Sequence, residues 1–319
     1  MPRTLVTGGV GFIGYHVTRA LLARGDEVVV LDDFSDAPYP RALKEANARD
    51  LAALGGRLEV VTGCVTDAAK VAALTAGASA VLHLAGLAGV RPSFADPVHY
   101  ARINVDGTAT VVEAAIQAKV PRLVIASSSS VYGNSTPLPA REEAPAIEPE
   151  SPYAASKRGA ELVALSLSRK APSLALAALR FFTVYGPRQR PEMAITLFAR
   201  AILAGRPITV FGDGSMKRDF THVDDIVRGV LAAIDRAPAG FRAYNLGSGA
   251  PITLDRLVAA LSSAAGREAI TTRAAVPLGD VDATFADIGR AERELGFRPA
   301  VPLEEGLRTV VDWVKAHPT

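Results

Sequence analysis

Short, nearly unbroken apolar runs recur through the first half of the chain, with helix-length segments between most of them. Residues 5–7, 28–31, 58–61, 80–84 and 123–126 read as strands. Because these runs do not alternate apolar with polar positions, helices are expected on both faces of the strands. Helical segments at 13–23 and 100–118 fit that rhythm, and repeated strand–helix–strand units imply a doubly wound parallel sheet with right-handed crossovers. A further strand, 174–180, follows a helix that starts near Ser151 and Pro152.

The rhythm changes after residue 180. A stiff basic loop, Gly186-Pro187-Arg188-Gln189-Arg190-Pro191, leads to a helix at 193–203 and a strand at 208–211. Further helices are expected at 223–235, 253–265, 286–295 and 303–315, and Tyr244-Asn245-Leu246 reads as a strand returning to the first sheet. The pattern predicts a Rossmann-type α/β cofactor domain over residues 1–180, with returning segments near 218–248. A smaller α/β substrate lobe is expected over 181–319, with the ligand cleft between the two.

Composition narrows the classes. The chain has 319 residues, 49% apolar, with 35 Lys+Arg against 33 Asp+Glu and a net charge of +2, so no global field draws it to nucleic acid or an anionic membrane. Cys64 stands alone, which excludes an internal disulfide framework or a cysteine zinc cluster and suggests a reducing compartment. Met1 to Leu5 run straight into a strand with no signal-peptide core. Residues 71–90 carry no Asp, Glu, Lys or Arg, yet they divide into a helix end, a turn at Gly77 and a strand, so no membrane span is expected. His16, His83, His99, His222 and His317 show no metal-ligand spacing; His83, in a strand, reads as a satisfied core group. A soluble, cytoplasmic protein without a metal is expected.

Chemistry enters with Thr7-Gly8-Gly9-Val10-Gly11-Phe12-Ile13-Gly14, between the first strand and the first helix. Gly8 suits the tight turn, Gly11 the close approach of a pyrophosphate, and Gly14 helix–strand packing. The helix N-terminus then presents free N–H groups to phosphate. Asp32 closes the second strand 18 residues after Gly14, where a carboxylate accepts from ribose hydroxyls. A 2′-phosphate would meet Asp32 and Asp33, so NAD is favoured over NADP. A plain turn with strand-end acids is the bland alternative.

Tyr153 and Lys157 lie four apart on one face of a predicted helix. A phenol titrating near pH 10 is a poor base at neutrality; a nearby ammonium and the positive nicotinamide ring would favour the phenolate. The run Ser127-Ser128-Ser129-Ser130-Val131-Tyr132-Gly133 follows the fifth strand, at the carboxyl edge of the sheet, where a hydroxyl can bridge substrate to Tyr153.

With these motifs, and with His83-Leu84-Ala85-Gly86, the chain resembles the extended short-chain dehydrogenase/reductase group, and within it the nucleotide-sugar 4-epimerases. The resemblance implies Ser128, Tyr153 and Lys157 as the catalytic triad, with Ser129 near enough to share the role of Ser128. It implies a cofactor shell of Gly8, Gly11, Phe12, Ile13, Gly14, Asp32, Val65, Leu84, Ala85, Gly86, Asn104, Ser127 and Phe182, besides Tyr153 and Lys157, with Asn104 also helping to order the active-site helix. Residues 180–193, Arg180 to Met193, are similar to a segment of UDP-glucuronate 4-epimerases in which a Thr and an Arg bind the sugar carboxylate. These map to Thr183 and Arg190, and an arginine fork suits a planar carboxylate. Arg218 would bind the diphosphate, Thr209 and Phe211 the uracil, Asp280 the ribose, and Arg91 would face the substrate from the loop after the fourth strand. A homodimer through the helices near 100–118 and 152–169 is also implied.

Two positions depart from the pattern. Cys64 stands where the family carries an aspartate near the adenine, and Pro277 stands where glucose epimerases carry an arginine. The expected activity is reversible C4 epimerisation of UDP-glucuronate to UDP-galacturonate with NAD. A UDP-glucose or UDP-N-acetylhexosamine 4-epimerase is the runner-up. A decarboxylase, a 4,6-dehydratase (which would carry Asp-Glu where Ser129-Ser130 stand) or an NAD-binding regulatory protein rank lower.

Overall fold

The computed structural model describes residues 1–36 and 38–317. Its strands are β1 (Arg3–Thr7), β2 (Glu27–Asp32), β3 (Leu58–Thr62), β4 (Ala80–His83), β5 (Arg122–Ser128), β6 (Ala175–Phe181), β7 (Thr183–Tyr185), β8 (Ile208–Phe211), β9 (Lys217–Arg218), β10 (Phe220–His222), β11 (Gly240–Leu246), β12 (Ile252–Thr253) and β13 (Thr271–Ala274). Seven of them form one parallel sheet in the order β3-β2-β1-β4-β5-β6-β11. The order reverses between β1 and β4, which opens a crevice beyond their carboxyl ends. β5 runs past β4, so Ser127 and Ser128, paired with Arg180 and Phe181 of β6, stand on the rim of that crevice.

Neighbouring residues of each apolar run point to opposite faces, and both faces are filled. Val6, Val28, Val30, Leu82 and Val124 join Leu21, Ile226 and Val230 from the helices Phe12–Arg24 and Val223–Arg236. Leu5, Val29, Leu31, Val81, Leu123 and Ile125 meet Val111, Val112 and Ala164 from Gly107–Gln117 and Pro152–Ser168 on the other side. A separate core holds the helices Ala194–Ala204, Leu254–Ala265 and Leu303–Ala316 together through Phe198, Ile202, Leu257, Leu261, Leu307 and Val311.

Two local details differ from the pattern reading, and a third agrees with it. The helix expected at 100–118 begins at Pro97, because Asp96 caps it by accepting from His99 N at 3.1 Å, and it widens to a π-turn over Arg102–Asp106. The helix expected at 286–295 is confined to Gly289–Leu295, since the preceding backbone pairs with Ala140. The uncharged stretch 71–90 is shared between the helix Ala68–Thr75, a turn at Gly77, β4 and the loop beyond it. Among the described residues no helix is long and apolar enough to cross a membrane.

His83 bridges Thr7 Oγ1 at 2.7 Å and Thr108 Oγ1 at 3.0 Å, a satisfied core group. Burial pushes it down to about 3 and His16 to about 4. Unfolded imidazoles titrate near 6.5. The unfolded chain therefore binds more protons in that window, and stability present above about pH 6.5 is lost as pH falls through the folded values. We expect the urea midpoint of the parent to drop between pH 6.5 and 5. In His16→Gln it should drop less, by a difference of up to about 2 kcal/mol. Parallel curves would show that His16 titrates normally in the folded chain.

Candidate active site

The glycine loop is tight because backbone packs on backbone. Gly8 adopts φ +72°, and a Cβ there would lie 2.6 Å from Ala85 N; one on Gly14 would lie 2.0 Å from the Gly8 carbonyl oxygen. Gly11 begins the helix Phe12–Arg24 with no side-chain cap. The first-turn N–H groups are therefore left for an anion, and the cradle fits the pyrophosphate of a dinucleotide. Asp32, buried at the end of β2, accepts from Phe34 N at 2.9 Å and from Lys44 Nζ at 3.1 Å. Burial pushes its carboxyl up, while Lys44 pulls it down. Lys44 also donates to Asp33 Oδ1 at 3.3 Å and Ser35 Oγ at 3.2 Å. Lys44 sits on the helix Arg41–Ala53 and carries no motif signal of its own, so the sequence pattern does not single it out.

One cavity of about 1080 Å³ runs from this loop across the sheet edge into the second lobe. Gly8, Gly11, Phe12, Ile13, Gly14, Asp32, Val65, Leu84, Ala85, Gly86, Ser127 and Phe182 line the first part of it. Cys64 lines it as well, its Sγ 3.2 Å from Thr66 Oγ1. Asn104 does not reach the lining. Nearly fully buried, it receives Leu87 N at 2.8 Å and donates to Leu87 O at 3.0 Å and Ser156 Oγ at 2.9 Å. It braces the loop after β4 against the helix Pro152–Ser168, in keeping with a residue that orders the active-site helix.

Ser128, Ser129, Tyr153 and Lys157 meet at the middle of the cavity. Ser151 starts the helix that carries Tyr153 and Lys157 by accepting from Ala154 N at 3.2 Å, with Pro152 at its first position. Burial pushes the Tyr153 phenol up from its ordinary value; a hydrogen bond from Ser128 and the charge of Arg190 pull it back. Lys157 donates to Ala126 O at 3.1 Å, and burial lowers it to about 8. The charge that opposes burial at the phenol is therefore that of Arg190, which lines the same cavity.

The distal part of the cavity contains Thr183, Arg190, Arg91, Thr209, Phe211, Arg218 and Asp280. Arg190 donates to Ala88 O at 3.0 Å and pairs with Glu192 at 3.2 Å. Arg91 lies over the Phe211 ring at 4.8 Å and 3.8 Å from Asp280. Arg218 donates to the carbonyls of Lys217 at 3.0 Å and Asp282 at 3.3 Å, so it is not spent on Asp219 or Asp224.

Residues 4–247 match the model of the NAD dependent epimerase/dehydratase family. The chain belongs to that family. It is 41% identical over 328 residues to UDP-glucuronate 4-epimerase 5 of Arabidopsis thaliana, covering 97% of this chain and 74% of the relative. It is 38% identical over 315 residues to the UDP-glucuronate 4-epimerase of Thermodesulfobacterium geofontis, covering 98% and 96%. A solved UDP-glucuronic acid 4-epimerase from Bacillus cereus, in complex with UDP-glucuronic acid and NAD, superposes with a TM-score of 0.91 at 33% identity, covering 98% of this chain and 99% of that one.

Behind the cavity of this family member lies a buried ion pair with no signature in the sequence pattern. Arg180 on β6 donates through Nε and Nη2 to Glu161, both at 2.8 Å, and Ser127 Oγ donates to the same carboxylate at 2.6 Å. Glu161 lies one helical turn beyond Lys157, so the pair fixes that helix to β5 and β6. Arg180→Met removes one partner of a desolvated pair and is expected to lower stability by about 3 kcal/mol. Urea unfolding checks this, and an unchanged midpoint would contradict it.

Proposed function

We propose that this protein inverts C4 of UDP-glucuronate to give UDP-galacturonate, reversibly and with NAD retained. The observation that carries the reading is Arg190: its guanidinium faces the same cavity as Tyr153 and Ser128 and is close enough to influence the phenol electrostatically. A planar fork in that position suits the carboxylate on C5, the carbon beside the reacting one. The names of the relatives support the same substrate.

The glycine cradle, Asp32, Lys44 and the segment 84–86 would hold NAD, with Val65 against the adenine and Ser127 and Phe182 toward the nicotinamide. When bound there, NAD supplies a reversible acceptor for the hydride of C4. Tyr153 receives the proton of the C4 hydroxyl and returns it to the same oxygen once the 4-keto sugar has turned over, so that the hydride would be regained on the opposite face of C4 and invert it. Ser128, with Ser129 beside it, holds the same oxygen, and Lys157 contributes a positive charge at the floor of the site. Arg218 and Arg91 hold the diphosphate end, with Thr209, Phe211 and Asp280 around the nucleoside. The carboxylate of the 4-keto sugar is β to its ketone and is lost most readily when the bond to it stands perpendicular to the carbonyl plane. Thr183 and Arg190 keep it out of that alignment.

We also assign residues 1–180, with the return through 218–248, to cofactor binding and 181–319 to the nucleotide sugar. Epimerisation of a nucleotide sugar fits a cytoplasmic enzyme. A homodimer through the helices spanning 97–117 and 152–168 is supported by Val98 and Leu162, both large apolar side chains left exposed.

Incubating the purified protein separately with UDP-glucuronate and UDP-glucose, and reading the products by NMR, tests the assignment. UDP-galacturonate should form from the first and the second should react far more slowly. UDP-galactose as the faster product would replace the uronate reading with the neutral-sugar one. Arg190→Ala is expected to cut uronate turnover about 100-fold or to release CO2 from it; unchanged turnover with no CO2 would reject the role given to Arg190.

A further inference from the structure

Arg190 is carried by the loop between β7 and the helix Ala194–Ala204, and a neighbour two residues earlier holds that loop in a costly way. Arg188 adopts φ +66°, a left-handed conformation that side chains other than glycine rarely take. It does not line the cavity. Its guanidinium crosses to the cofactor half of the molecule and lies 4.1 Å from the centre of the Tyr15 ring. There it donates to Asn47 Oδ1 at 2.5 Å and pairs with Asp50.

Two further contacts fasten the same backbone to the same half. Tyr39 OH donates to Arg188 O at 3.1 Å, and His16 Nε2 donates to Pro187 O at 2.9 Å. Asn47, almost fully buried, also donates to Val10 O inside the glycine loop at 2.8 Å. One amide thus touches both the loop that cradles the cofactor and the arginine that anchors the sugar loop. On the distal side Gln189 completes the clamp by donating to Val184 O at 2.8 Å.

We infer that Arg188 is a positioning residue for substrate specificity. It acts through the loop, holding Arg190 where it meets a carboxylate, and it makes that placement depend on the first lobe. This rests on the reading of Arg190 as the group that recognises the uronate. Strain at Arg188 is maintained because the interactions at Tyr15, Asn47 and Asp50 over-determine the backbone there. Lysine keeps the charge but loses the planar stack and the fork. Glycine relieves the backbone and removes the anchor altogether.

The test compares parent, Arg188→Gly and Arg188→Lys, each with bound NAD matched to the parent by absorbance. KM and kcat are measured with UDP-glucuronate, and Kd with UDP-glucuronate, UDP-glucose and UDP alone. Arg188→Gly is expected to raise KM for UDP-glucuronate about tenfold and to lower kcat, because a displaced Arg190 also acts less on Tyr153, while Kd for UDP stays within about twofold; Arg188→Lys should fall between. Asp50→Asn, which loosens only the exposed end of the anchor, should shift KM the same way by a smaller factor, and it carries the test where the glycine variant does not fold. Parent-like KM values, or equal weakening toward UDP and UDP-glucuronate, would overturn the inference. A parent that binds UDP-glucuronate no better than UDP-glucose would instead overturn the role of Arg190, and this inference with it.

Discussion

A phenol buried in a protein cannot give up its proton unless positive charge faces it, because the phenolate has lost the water that would stabilise it. Tyr153 is under that constraint: burial holds the proton on, and among the described residues Ser128 and Arg190 oppose it. Much of the architecture serves to bring compensating charge to this point. The helix Pro152–Ser168 supplies Lys157 from one turn away, β5 supplies Ser128, and a loop of the second lobe supplies Arg190. The nicotinamide of NAD, held by the glycine loop on the other side, would add a further positive charge. On the proposed function, such a base requires both the cofactor and the cleft in place.

The fold keeps these parts in register with buried polar contacts, where apolar packing alone would allow sliding. Arg180 and Glu161 tie the reactive helix to two strands. Asp219, fully buried beside Arg218, receives Ser248 N at 2.6 Å, Gly249 N at 3.1 Å and Ala286 N at 3.0 Å, which binds three distant segments at the root of the second lobe. Asn104 performs the same service for the loop after β4. Each such group is well satisfied, and removing one partner would strand the others in a dry interior.

The sheet is legible in the sequence because strands covered on both faces leave continuous apolar runs, and β1 to β6 each show one. The glycine loop is legible because only glycine tolerates a neighbour 2.0 Å from its missing Cβ, as at Gly14. Tyr153 and Lys157 announce themselves by helical spacing. What stays hidden depends on partners far away in the chain. Lys44 looks like any helix lysine until Asp32 is placed above it, and Glu161 looks like a surface acid until Arg180 arrives from β6. Arg188 reads as a loop charge because its partners, Tyr15, Asn47 and Asp50, lie more than a hundred residues earlier.

The most direct measurement is the titration of Tyr153 itself. The ultraviolet difference spectrum between the NAD-loaded parent and NAD-loaded Tyr153→Phe isolates one phenolate among the seven tyrosines of the chain. Compensation by Ser128, Arg190 and the bound cofactor predicts a midpoint below the ordinary value for tyrosine in the loaded protein. A midpoint at or above about pH 10 in the loaded protein would contradict it.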